Sequence, residues 1–213
     1  GGVAQIDNSG TITAQANSSQ GNFAVALQLN VRDATEPFSY RITNSGTNST
    51  TATSSTDDYA SQATALDVFG AGLSGTISNT ATGTISANAD NAYAVYTDGS
   101  ALDLNNAGTI SATGKGANYA VLTYGGFANR IVNTGTISGN IRLDAGADTI
   151  DNTGTINGIV TLREGDDIFI QRSGGTVTGL IDGGTGTNSY IVDATGGTAT
   201  LAASQISNFQ RIV

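Results

Sequence analysis

Residues 133–146 read Asn-Thr-Gly-Thr-Ile-Ser-Gly-Asn-Ile-Arg-Leu-Asp-Ala-Gly, and residues 152–165 read Asn-Thr-Gly-Thr-Ile-Asn-Gly-Ile-Val-Thr-Leu-Arg-Glu-Gly. The glycines set the register. Gly135, Gly154 and Gly175 are spaced by 19 and 21, and a second column, Gly146, Gly165 and Gly186, keeps the same spacings 11 residues later. Biased composition alone does not hold two columns in step. One unit is therefore about 20 residues long here, and equivalent residues of successive units stack.

The apolar residues keep this register. Ile137, Ile156 and Val177 align, as do Ile141, Val160 and Ile181, with Leu143 and Leu162 beyond them. Gly139, Gly158 and Gly179 fall between, where a corner is needed. Alternation on both sides of a glycine corner signals strand, turn, strand. No segment shows sustained helical spacing with caps.

The opening phrase recurs at 8–12 (Asn-Ser-Gly-Thr-Ile) and 106–110 (Asn-Ala-Gly-Thr-Ile), with weaker copies at 44–48, 81–85, 173–177 and 195–199. The N-terminal units are longer. Gly83, Gly108 and Gly135 are 25 and 27 apart, and the spacing grows to 36 and 37 across Gly10, Gly46 and Gly83. That stretch predicts loop insertions around 30–60, one about Glu36-Pro37 and one over the Ser/Thr-rich run 47–57. Long loops on a rigid scaffold are the expected recognition elements. A second phrase, aromatic-Ala-Val, places Phe23, Tyr93 and Tyr119 at one position.

The fold expected is all-β, a right-handed parallel β-helix. It forms a single domain over 1–213, with about seven to eight coils of three short strands. Coils stacked about 4.8 Å apart give a rod on the order of 35 Å long. In the phrase, Ile points inward. Thr11, Thr84, Thr109, Thr136, Thr155 and Thr176 form an outward ladder that suits strand propensity better than ice binding, which favours regular Thr-x-Thr pairs. Glycine is expected in a positive-φ turn. Asn8, Asn106, Asn133 and Asn152 are expected to stack at one corner, each amide bonding the next.

Composition narrows the function. Seventeen acidic against 8 basic residues leave a formal charge of −9. That argues against nucleic acid and against anionic membrane surfaces. There is no cysteine, hence no disulfide framework, and no apolar run long enough for a membrane-spanning helix. The chain opens Gly1-Gly2 without Met, so removal of an upstream segment is expected. Neither end carries a cap. The solenoid is expected to continue into further sequence, or copies to stack end to end as a fibre.

The Asn-Thr-Gly-Thr-Ile coils, followed by Leu-Arg-Glu-Gly-Asp-Asp-Ile-Phe at 162–169 and Asp-Gly-Gly-Thr-Gly-Thr-Asn at 182–188, resemble the passenger region of Gram-negative autotransporters. The closing stretch 206–213 is similar to their pre-barrel coils. The resemblance implies export through an outer-membrane barrel of the same precursor, then surface display. It implies adhesion, aggregation or biofilm contact, with a host or neighbouring-cell surface protein or glycan as partner. Membrane attachment would come only through a barrel outside this sequence.

Catalysis finds little support. Without histidine, the usual serine triad and zinc sites cannot form. A β-helix lyase or glycosidase would draw on Asp57-Asp58, Asp144, Asp148, Glu164, Asp166-Asp167 or Asp182. Adjacent acids on a strand face opposite ways, so a working pair would need neighbouring coils. No catalytic, cofactor-binding or metal residue is assigned. Calcium is the sharper alternative. Gly146-Ala147-Asp148, Gly165-Asp166-Asp167 and Gly186-Thr187-Asn188 run to Ile150, Phe169 and Tyr190, similar to the calcium nonapeptide of secreted repeat toxins. Those repeats recur every nine residues, and these every 19 to 21. An Asp capping its own turn is the plainer reading. Two function classes stand: an adhesive or structural surface module, and a carbohydrate-acting or lectin-like protein. Acids and bases converging on one cleft would favour the second. The tyrosines, Tyr40, Tyr59, Tyr93, Tyr96, Tyr119, Tyr124 and Tyr190, are either contact groups or a packed ladder.

Overall fold

The computed structural model describes residues 2–18, 22–31, 38–54, 60–199 and 205–213. Within these the chain is a parallel β-helix with no α-helix. Three faces succeed one another in every coil. The asparagine face comes first, with strands such as Val3–Asn8, Ser39–Asn44, Arg130–Asn133 and Thr149–Asn152. The threonine face is a separate seven-stranded parallel sheet, from Thr11–Ser18 through Thr47–Ser54, Thr84–Asn88, Thr109–Thr113, Thr136–Ser138 and Thr155–Asn157 to Thr176–Val177. The tyrosine face includes Phe23–Asn30, Asn118–Tyr124, Asn140–Arg142, Val160–Thr161 and Ile181–Asp182. Gln62–Asn79 and Asn91–Asn106 run unbroken from the tyrosine face of one coil into the asparagine face of the next. They merge those two faces into one 15-stranded sheet. Among the described residues seven coils have strands on all three faces, an eighth has strands on two, and Arg211–Ile212 begins a ninth.

Each face sends apolar columns inward. Ile42, Ile77, Leu104, Ile131, Ile150, Phe169 and Tyr190 are stacked in register and sealed from solvent. Each such side chain contributes roughly 1.5–3 kcal/mol by leaving water. Phe169 and Tyr190 stack with ring centroids 5.4 Å apart. Tyr40 breaks the aliphatic pattern, and its register partner Gly75 explains how it fits. A Cβ on Gly75 would lie 2.4 Å from the Tyr40 ring. The phenol runs along the axis to the Ala101 carbonyl, 3.3 Å away.

The expected asparagine stack is present and longer than four. Asn8, Asn44, Asn79, Asn106, Asn133 and Asn152 form one ladder, each Nδ2 donating to the next Oδ1 at 2.8–2.9 Å. Asn79 is hidden in the sequence because Thr80–Thr82 insert two extra residues before Gly83. The ladder stops at Gln171, which occupies the next register position.

Three expectations need correction. The phrase glycines do not take positive φ. They are needed because coils approach closely there: a Cβ on Gly154 would lie 2.2 Å from the Gly135 carbonyl oxygen. Positive φ belongs to the second column, at 132°, 149° and 127° for Gly146, Gly165 and Gly186. The run 47–57 is not a loop as far as it is described. Thr47–Ser54 is a strand paired on both sides, with Asn48, Thr50 and Ala52 pointing inward. The long spacing there reflects long strands, since β-branched and small hydroxyl residues suit a pleated surface. Residues 32–37, with Glu36-Pro37, and 55–59 lie outside the described residues. Finally, Phe23 pairs with Gln62, and so with Asn91; Val25 is the residue in register with Tyr93.

Candidate functional site

Outward rows of the tyrosine face carry the densest group of contact-forming side chains. The row Val25, Thr64, Tyr93, Tyr119 places two tyrosines on successive coils, and their rings are parallel within 2° at 6.2 Å. A second row runs Gln28, Asp67, Tyr96, Leu122, Arg142. A third runs Asn30, Phe69, Asp98, Tyr124. The rows join through ring contacts: Tyr96 lies 6.0 Å from Tyr93, edge to face, and 6.0 Å from Tyr124. The Arg142 guanidinium sits 5.4 Å over the Tyr124 ring, a cation–π arrangement. All four tyrosines are half-buried, and Phe69 is exposed.

The centre of the cluster is electrostatically negative. Burial, then Asp98, Tyr124, Asp67 and Tyr93, push the Tyr96 phenol up to about 12. Burial and neighbouring Asp98 also raise the Asp67 carboxyl, although Gln28 donates to it at 2.6 Å. Asp67 is buried, and its other oxygen has no hydrogen-bond partner among the described residues. The arrangement thus joins aromatic rings to two carboxyls and one guanidinium. It has no nucleophile–base pair.

Tyr93 and Tyr119 were legible as equivalents in sequence; the placing of Tyr96 and Tyr124 beside them, and Asp67, Asp98, Arg142 and Phe69, were not. Their signal lies in register arithmetic across coils of unequal length. Tyr59 falls outside the described residues, and Tyr40 and Tyr190 belong to the core.

The candidate acids do not converge. Asp57-Asp58 lie outside the described residues. Asp144 accepts from the Gly125 N–H at 3.2 Å and lies 3.8 Å from Arg163. Asp166 accepts from the Thr187 N–H, and Asp182 from the Gly184 N–H and Asn208. Glu164 is exposed. Asp148 and Asp167 turn inward and are fully buried, capping N–H groups of the preceding coil and not their own turn. Among the described residues no three acids come together as a metal site. The asparagine face carries a shallow groove of about 580 Å³ containing Arg41, Asp103 and Arg130. Its single carboxyl is paired to Arg130 at 3.1 Å. Two-carboxylate glycoside hydrolysis asks for a second acid about 5–9 Å away.

Comparison with protein-family models, with curated proteins and with solved structures finds no match for this chain.

Proposed function

We propose that this chain is a non-enzymatic cell-surface β-helix passenger, an adhesive stalk segment that makes contact through its tyrosine face. One observation carries the reading: Tyr93, Tyr96, Tyr119 and Tyr124 are in ring contact on outward rows, while the core is built from other residues. Tyrosine offers large contact area with a polar tip and little rotamer entropy to lose. The partner class favoured is a polypeptide surface rich in Arg and Lys. Aromatic faces beside Asp67 and Asp98 attract cations, Arg142 on Tyr124 is an internal instance, and a charge of −9 steers basic partners inward. Neutral glycan is the competing partner.

The test is display of the chain on bacteria that do not otherwise clump. Mixing with beads bearing an arginine-rich peptide should give co-aggregates, and the quadruple Tyr→Ala variant at these positions should not. Equal clumping by both, or clumping only with glycan-coated beads, would overturn the assignment.

A further inference from the structure

A second ladder runs along the corner that precedes the asparagine face. Its rungs are Asn129, Asp148, Asp167, Asn188 and Gln210. In each, one side-chain oxygen accepts a backbone N–H from the coil before. Asn129 Oδ1 accepts from Leu102 at 3.0 Å, Asp148 from Asn129 at 2.7 Å and Asp167 from Asp148 at 2.8 Å. Asn188 accepts from Asp167 at 2.9 Å and Gln210 from Asn188 at 2.7 Å.

The rungs differ in the other terminal atom. In Asn129 it is a nitrogen, which donates to the Phe127 carbonyl at 2.8 Å. In Asn188 it is again a nitrogen, donating to the Asn208 carbonyl at 3.0 Å and the Gly184 carbonyl at 3.4 Å. In both asparagine rungs this position faces carbonyl oxygens and holds a donor. In Asp148 and Asp167 it is Oδ2, fully buried and without a hydrogen-bond partner among the described residues. A carboxylate there would leave one oxygen of a buried anion bare in a dry corner; the Asn129 N–H and amide on Asp148 Oδ1, at 2.7 and 3.0 Å, and the Asp148 N–H on Asp167 Oδ1 offset that cost only in part.

We infer that Asp148 and Asp167 stand in the folded solenoid as neutral carboxylic acids, each Oδ2–H acting as the donor that Asn129 and Asn188 supply with an amide. The corner therefore holds protons that the open chain releases, and closure of these C-terminal coils depends on pH. The surrounding charges support this. Asp167 and Asp144 favour protonation of Asp148, Asp166 favours that of Asp167, Glu164 is a further exposed acid, and the nearby cations Arg130 and Arg163 lie outside, paired to Asp103 and Asp144. Burial first, then these acids, push Asp148 up to about 7 and Asp167 to about 6. A folded-state value above the ordinary 3.8 means the folded chain binds the proton more tightly. Stability from these groups is thus highest in acid, falls as pH rises from about 4 toward 7, and is flat above.

The experiment follows thermal unfolding of the 213-residue chain from pH 4.5 to 8.5, with Asp148→Asn, Asp167→Asn and the double variant. The wild type should lose Tm as pH rises toward about 7 and hold level from there to pH 8.5. The double variant should lose most of that slope, keeping only what the raised Asp67 carboxyl contributes, and be at least as stable as wild type at pH 8.5. Infrared difference spectra of wild type at pH 6, with aspartate carboxyls isotope-labelled, should show the carbonyl stretch of buried protonated acid. That readout holds even if a variant fails to fold. Absence of the band, or a wild-type Tm that rises with pH, would overturn the inference. So would millimolar Ca²⁺ raising the wild-type Tm at pH 8.5 without affecting the variants, which would make the pair a cation site.

Discussion

The side-chain amide of Asn106 donates to Oδ1 of Asn133 at 2.8 Å, and both residues are sealed from solvent. Asn133 then donates to Asn152 and approaches the Gly135 and Thr155 carbonyls. Asn133→Leu would leave the Asn106 amide only its longer bonds to the Gly108 and Thr136 carbonyls, at 3.3 Å, and orphan an acceptor on Asn152. The expected loss is about 3 kcal/mol in chemical denaturation, since each unpaired buried group costs roughly 1–3 kcal/mol.

Gln171 provides the contrast. It is the ladder's last register position, buried, and its Nε2 has no partner among the described residues. Gln171→Leu removes an unmet donor at similar volume. Stability should be unchanged or raised within about 1 kcal/mol, as replacement of an unsatisfied polar group allows. A loss matching that of Asn133→Leu would show that the ladder continues through Gln171.

The phrase glycines are predicted to matter through space and not through φ. Gly154→Ala presses a methyl against the Gly135 backbone and should cost roughly 2–3 kcal/mol, the usual scale of overpacking. Gly10→Ala in the same phrase meets nothing within 4 Å and should stay within roughly 0.5 kcal/mol. Paired melting curves decide it.

These positions show how far the sequence could be read. Equal coils of 19 residues put Ile137 over Ile156 and Asn133 over Asn152 by simple counting, and the structure keeps both pairings. Counting fails where coils change length. Asn79 is displaced by two inserted residues, and Phe23 matches a phrase two residues out of register. Thr47–Ser54 looks like a loop because strand and loop both favour Ser and Thr; only pairing with its neighbours separates them. The site was half legible for the same reason. Tyr93 and Tyr119 share a visible phrase, whereas Asp67 and Arg142 reach Tyr96 and Tyr124 only once four coils are in register.

Arg172 forks between Asp151, at 2.6 and 2.8 Å, and Asp193, at 2.5 Å, tying three successive coils. The group is well exposed to water, with its side chain 40% accessible. Arg172→Met should cost less than about 1 kcal/mol, and the difference should shrink in high salt.

The tyrosine cluster as the contact surface is the central claim, and fluorescence anisotropy with a labelled oligo-arginine peptide tests it most directly. Wild-type chain should bind the peptide with an affinity that falls with salt, and should ignore an oligo-glutamate peptide of equal length. Tyr96→Ala should weaken binding at least tenfold, equal to about 1.4 kcal/mol, while leaving the melting temperature within a few degrees. Unchanged affinity in Tyr96→Ala, with the variant folded, would contradict the account.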